Sequence, residues 1–337
     1  MRFEFYHPGI ENTPKLSVDG IVANSLHFSH WEGNETPAEV KADTSTEIAL
    51  NLVASPNQQA LTKGLELVTN NHFDTDGVLS VWTVLTGARA LDLREQLVSA
   101  AEAGDFSEFN SELGVRASIV IQGPEQASSS NDSGSPLARQ LASNNVDDEA
   151  RAYELVLPEV ERVLTRINDY EPLWRDAWRD LETAINSFES GRSTVQEYTA
   201  GHLSLVTLAA EIFGTEGFDP GRHTAPNTAV SRYARGEIFL ISIPVREGWI
   251  YQLDYPYYFW AETVKRPKIQ PRDLGANLSQ LNEIEPNRSA TWKVDTRQMT
   301  SAAKFLNPDA TPAVSKLLPT EVAKILSTQA QLSTTGV

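Results

Sequence analysis

The sequence predicts an α/β protein in two parts: a mainly parallel sheet domain over residues 1–125, then a helical and mixed α+β domain over 151–330. Three observations carry this. Leu65–Thr69 reads as a strand, Asn70–Gly77 as a polar turn and Val78 to about Leu85 as an apolar helix, which is the order found in open α/β sheets. Glu149 to about Ser190 is helical in pattern, interrupted at Pro158 and Pro172. From Val195 onward strand signals return, at Leu203–Leu208, Ile238–Val245 and Trp249–Leu253.

Taken in order, Gly20 to Trp31 reads as a turn and a short strand ending in Ser29-His30-Trp31. Thr44 with Glu47 three residues later is a capping-box signature, and it opens the apolar helix Ile48–Val53. A second helix, about Leu93 to Ala103, is expected to stop at Gly104, with Asp105 and Phe106 directly after it. The Ser/Asn/Asp/Gly cluster inside 126–150 is the expected linker or surface loop. Beyond it, a helix at about Leu274–Glu283 precedes a strand at Thr291–Val294.

Length and composition bound the function. The 337 residues suit roughly two domains, and 40% apolar with 22% charged residues is an ordinary globular mixture. With 45 acidic against 28 basic residues the formal charge is −17, so duplex nucleic acid and anionic membranes are poor partners. The absence of cysteine removes disulfides, thiolate zinc sites, iron–sulfur clusters and cysteine nucleophiles. The amino terminus lacks a signal-peptide pattern, and no apolar run approaches the ~18 residues of a membrane span. A cytoplasmic protein is expected.

Chemistry concentrates in His72-Phe-Asp-Thr-Asp-Gly77. Alternate residues of an extended segment point the same way, so His72, Asp74 and Asp76 can project together and hold a divalent metal such as Mn²⁺. The same spacing also fits an Asx-rich helix cap beside an ordinary loop histidine, and both readings stay open. His223 and Asn227 lie in a Thr/Pro/Asn-rich stretch expected to be a loop, as an acid/base and substrate-binding pair or as turn residues. Lys265, Arg266 and Arg272 follow the aromatic run Tyr255–Trp260; they suit the phosphate or carboxylate of a small substrate, or a face paired with the chain's own acids. No Walker loop, dinucleotide-binding glycine fingerprint or Gly-x-Ser-x-Gly elbow is present.

The His-x-Asp-x-Asp-Gly segment, placed after a strand and before a helix, resembles the first metal motif of the Asp-His-His (DHH) phosphoesterase superfamily. Phe28-Ser-His-Trp31 followed by Asp43-Thr-Ser-Thr-Glu47 resembles its third motif in permuted order, with Phe28 and Ser29 at the first two triplet positions. The resemblance implies a DHH-like parallel sheet and divalent ions, Mn²⁺ foremost, that activate water for attack on phosphorus. It implies His72, Asp74, Asp76, Asp105 and Asp43 as metal ligands and His30 as a catalytic candidate, beside His223 from the loop read above. The stretches Leu26–Gly33, Asn71–Gly77, Ala103–Phe106, Arg222–Thr228, Trp260–Arg266 and Pro271–Leu274 are together similar to a family of bacterial proteins of unknown function. The function expected is hydrolysis of a small phosphoester or phosphoanhydride. A non-catalytic binding protein of DHH-like fold and an oligonucleotide-trimming nuclease stand as alternatives. If the chain is an enzyme, His223 and Arg266 or Arg272 should face the His72–Asp76 turn across a cleft.

Overall fold

The computed structural model describes residues 1–129, 148–214, 225–295 and 300–328. It is a mixed α/β protein of two compact units, one formed by Met1–Arg179 with Trp260–Lys268 and the other by Asp180–Phe259 with Ile269–Val337.

The first unit is built on a four-stranded, wholly parallel sheet in the order β1-β4-β2-β3, with β1 Arg2–Phe3, β2 Lys15–Val18, β3 Leu26–Phe28 and β4 Leu67–Thr69. The strands are short and carry buried residues on both faces (Leu16, Val18, Phe28, Leu67, Val68), as parallel strands must when both faces are covered. The helices are α1 Ser45–Ala54, α2 Gln58–Leu61, α3 Thr75–Thr86, α4 Arg94–Phe106, α5 Glu112–Ser129, α6 Glu149–Val156, α7 Val160–Thr165 and α8 Glu171–Glu189. Helix α3 packs on α1 and α4, and α4 packs on α5. The expected cap of α1 is present: Thr44 is extended and its hydroxyl accepts from the Glu47 N–H. Thr44→Ala should therefore cost about 1 kcal/mol of stability, measured by urea unfolding.

Because the strands are parallel, β2, β3 and β4 deliver their carboxyl ends to one edge. Asp19, Ser29-His30 and Asn70–Asp74 follow directly there. Lys15, buried at the start of β2, ties the opposite, amino end of the sheet. Its ammonium donates to the carbonyls of Ile10 (3.2 Å) and Glu11 (2.7 Å) before β2 and of Asn24 (3.0 Å) before β3.

The second unit carries a mixed six-stranded sheet in the order β5-β6-β7-β8-β10-β9. Its strands are β5 Thr194–Tyr198, β6 Leu203–Thr207, β7 Ile238–Val245, β8 Gly248–Asp254, β9 Thr291–Val294 and β10 Ser301–Leu306. Only β6 and β7 pair in parallel; the other neighbours are antiparallel. Helices α9 Ala210–Phe213, α10 Ala225–Tyr233, α11 Gly275–Ile284 and α12 Pro319–Ser327 accompany it. Leu240, Tyr251, Leu253, Trp292 and Phe305 form its core with Leu278, Leu281 and Val322.

Two sequence expectations change here. The compact division falls inside α8, not at 126–150, because α5 packs on α7 within the first unit and Trp260–Lys268 returns to that unit. Residues 130–147 of the expected linker lie outside the described residues. Helix α4 also does not stop at Gly104. It continues to Phe106 and ends at Ser107, which takes the left-handed conformation. Gly104 is an interior glycine required by close packing, since a Cβ there would meet the Thr75 Cβ at 2.6 Å. Asp105 is thus a helix residue with a fixed direction. Among the described residues, no helix is long and apolar enough to cross a membrane.

Candidate metal centre

Two groups of metal-ligating side chains occur among the described residues: Asp19, His30, Asp76 and Asp105 in one, and Asp19, His72 and Asp74 in the other. In each, one donor atom per residue lies within 4.8 Å of all the others. Asp19 belongs to both. Its Oδ1 is 3.6 Å from His30 Nε2, and its Oδ2 is 2.9 Å from His72 Nε2. A carboxylate with one oxygen turned to each of two donor sets has the form of a bridging ligand.

The first group is buried. His30 Nε2 lies 3.2 Å from Asp105 Oδ2 and 3.9 Å from Asp76 Oδ2, and the side chains of His30 and Asp76 are inaccessible to solvent. His30 Nδ1 donates to the Asp43 carbonyl (2.7 Å), which leaves Nε2 as the free donor, the arrangement a metal-binding imidazole needs. Asp76 lies in the first turn of α3 and accepts from the Ser45 and Thr46 N–H groups at the start of α1, both at 2.7 Å. Ser45 Oγ donates to Asp19 Oδ1 at 2.8 Å.

The second group is partly open, with about 29% of the His72 side chain and 27% of Asp74 accessible. His72 Nε2 is 3.1 Å from Asp74 Oδ2, while Asp74 Oδ1 caps α3 through the Gly77 N–H (2.7 Å). The cap reading of the motif therefore holds for Asp74, which is also a candidate ligand. The common projection of His72, Asp74 and Asp76 is not kept, because the helix begins at Thr75 and turns Asp76 toward the other group. Trp31 lies edge-on to His72 (5.9 Å between centroids), and Trp260 lies edge-on to His30 (4.9 Å).

The electrostatics are those of a site that collects positive charge. Burial opposes a charged His30, but Asp105, Asp76 and Asp19 outweigh it and raise its pKa to about 10. His72 is raised to about 12 against its own burial, by Asp19 and Asp74. Burial and then Asp19 push Asp76 up to about 7 despite its hydrogen bonds. Burial, Asp76 and Asp74 hold Asp105 well above the usual carboxyl range. Asp19 goes the other way: burial would raise it, but His72, His30 and Ser45 hold it below that range. Asp19 Oδ2, His30 Nε2 and Asp105 Oδ2 are buried without a well-aligned hydrogen bond, Asp19 Oδ2 lying against His72 and Asp105 Oδ2 against His30. Carboxylate oxygens and imidazole nitrogens so placed, one pair in each donor set, fit divalent cations.

The remaining described candidates are engaged by other groups. Asp43, expected as a ligand, spends its carboxylate on the Val264, Lys265 and Arg266 N–H groups and on the Arg266 guanidinium. Lys265 and Arg266, expected to hold an anion, are met by the chain's own acids: Lys265 by Glu47, and Arg266 by Asp43, Glu102 and Glu108. Arg272 donates to the carbonyls of Gly201 (2.7 Å) and His202 (3.2 Å) in the second unit. Asn227 is on helix α10 rather than in a loop, and it donates to the Tyr257 hydroxyl (2.8 Å). His223 lies outside the described residues. Sequence reasoning missed Asp19, which stands with Gly20 in an Asp-Gly pair at the end of β2 and reads as an ordinary turn. Gly20 is required there, because a Cβ would meet the Asn70 and Asn71 side-chain oxygens at 2.2 and 2.0 Å.

A family model described as "Family of unknown function (DUF6687)" matches residues 2–317. The chain belongs to that family. No curated protein matches it in sequence. Among solved structures, it is similar to the pGpG-specific phosphodiesterase PggH from Vibrio cholerae, at 12% identity and a TM-score of 0.36, with 96% of this chain and 89% of that one covered.

Proposed function

We propose that this member of the DUF6687 family is a divalent-metal-dependent hydrolase of a small phosphoester or phosphoanhydride. The observation that carries the reading is Asp19, a buried carboxylate shared between two donor sets, with one oxygen turned to His30 and the other to His72. The likeness of His72–Gly77 to the first DHH motif supports it. In this reading Asp19, His30, Asp76 and Asp105 hold one ion, and Asp19, His72 and Asp74 hold another. Mn²⁺ suits a set of imidazole and carboxylate ligands. When bound, the ions lower the pKa of water and offset charge on a phosphoryl group. His72 and Asp74 are the solvent-facing members, so the substrate's anion arrives on their side. His30 orients a ligand nitrogen through its Nδ1 hydrogen bond and is not itself the base.

The second reading, a non-catalytic chain that holds ions, is favoured by one observation: His30 and Asp76 are sealed from solvent, as a structural site would be. One experiment separates the two. The chain stripped with EDTA and titrated with Mn²⁺ should take up two ions, and the loaded protein should release phosphate or a nucleotide from a panel of pyrophosphate, phosphomonoesters, dinucleotides and short oligonucleotides. Two ions without turnover on any of these would favour the binding protein. No uptake would remove both readings.

A further inference from the structure

The segment Trp260–Lys268 is bounded on both sides by residues of the second unit, yet it is a compact part of the first. It reaches His30 from three directions. The Glu262 N–H donates to the His30 carbonyl (2.7 Å), and Trp260 lies edge-on to the imidazole. The N–H groups of Val264, Lys265 and Arg266 converge on the Asp43 carboxylate, whose own carbonyl accepts from His30 Nδ1.

Arg266 joins this side of the centre to the other. Its Nη1 donates to Asp43 Oδ2 (2.7 Å), and its Nη2 donates to Glu102 Oε1 (2.7 Å). Its Nε and Nη2 form a two-pronged contact with Glu108, at 2.8 and 2.5 Å. Glu102 lies on helix α4, and Glu108 follows it; Asp105 sits between them. The guanidinium also lies 4.7 Å from the centre of the Phe106 ring, and that ring packs at 5.8 Å on His30. The arginine is only 14% exposed, and the Asp43 side chain is fully buried. A planar fork meeting three carboxylates fixes direction in a way an ammonium cannot.

We propose that Arg266 is a positioning residue for the metal centre, locking Asp43 to the end of α4 so that His30 Nε2 and Asp105 Oδ2 meet at one ion. The inference rests on the metal reading above and deepens it. The polar contacts of Arg266 described above go to Asp43, Glu102 and Glu108. Its effect passes through the Asp43 backbone on one side and α4 on the other, as outer partners of metal ligands act elsewhere.

The test uses the full chain, stripped and titrated with Mn²⁺ by calorimetry, with the electron paramagnetic resonance spectrum of bound Mn²⁺ and the thermal midpoint of the stripped protein as companion readouts. Arg266→Gln should weaken Mn²⁺ binding by about 10- to 100-fold and change the spectrum. Arg266→Lys should recover part of the affinity through Asp43 alone. Lys265→Ala, at a side chain about 70% exposed, should bind as the wild type does. A role in folding alone would lower the thermal midpoint of Arg266→Gln while its folded fraction bound Mn²⁺ with unchanged affinity and spectrum, and that result would overturn the proposal. Should Arg266→Gln fail to fold, wild-type affinity in Arg266→Lys would overturn it equally. If the wild type binds no Mn²⁺, the metal reading falls and this inference with it; if the wild type binds and both variants match it, only the role of Arg266 falls.

Discussion

Asp19→Asn should yield a folded chain that binds fewer Mn²⁺ ions than the wild type and has lost about a thousandfold in turnover, a barrier increase of about 4 kcal/mol. The amide keeps the shape of the carboxylate and leaves one acceptor oxygen where two are used. Oδ1 faces His30 and accepts from Ser45 Oγ, while Oδ2 faces His72. Whichever way the amide turns, one donor set receives an N–H₂ in place of an oxygen, and that group repels a cation. The metal-free protein should respond too. His72, His30 and Ser45 hold the Asp19 carboxyl below its usual range. A depressed carboxyl contributes stability above its unfolded pKa and loses it as pH falls through the folded one. At neutral pH the stripped variant should therefore be less stable than the stripped wild type, and the gap should close on acidification. Calorimetric stoichiometry, turnover and urea unfolding at two pH values check each part. Undiminished Mn²⁺ stoichiometry would remove Asp19 as the bridge.

The relation of sequence to site is uneven, for physical reasons. The strand–turn–helix around Leu67–Thr86 and the Thr44 cap were legible because local chemistry decides them: apolar periodicity, an Asx cap and a capping hydroxyl. The parallel sheet followed from that order. Asp19 was not legible, because Asp-Gly is the ordinary signature of a tight turn. Only the strand order β1-β4-β2-β3 brings its carboxylate beside His30 and His72. Arg266 misled for the opposite reason. A basic cluster on an acidic chain looks like an anion site, but the excess acid lies in the same unit and three of its carboxylates claim the guanidinium. The domain boundary was misplaced because a polar, low-complexity stretch marks an exposed segment, and exposure does not say whether the helices on either side share a core.

Asp76 and Asp105 should behave as opposites, although both are buried and both face His30. Asp76 is structural as well as a candidate ligand: it accepts two backbone N–H groups at the start of α1, where the helix dipole also favours a negative charge. Asp76→Asn turns an N–H₂ toward those amides or leaves one of them unsatisfied, a cost of about 3 kcal/mol in the metal-free protein. That cost shrinks toward pH 7, because burial and Asp19 raise the Asp76 carboxyl too, to about 7. Asp105 instead meets a side chain: its Oδ2 lies 3.2 Å from His30 Nε2, and burial, Asp76 and Asp74 hold its carboxyl well above the usual range. A carboxyl raised by folding favours the folded chain while it is protonated, and this advantage is lost as pH climbs from the unfolded pKa toward the folded one. Asparagine carries no proton to lose, so stripped Asp105→Asn should gain on the stripped wild type as pH rises above about 4, the ordinary carboxyl value. Both variants should lose Mn²⁺ affinity. The decisive contrast is unfolding of the stripped proteins near pH 5, below the raised Asp76 value of about 7, where Asp76→Asn should be destabilised and Asp105→Asn should match or exceed the wild type. Equal destabilisation of the two would mean that Asp105 is held by the fold rather than placed for a cation.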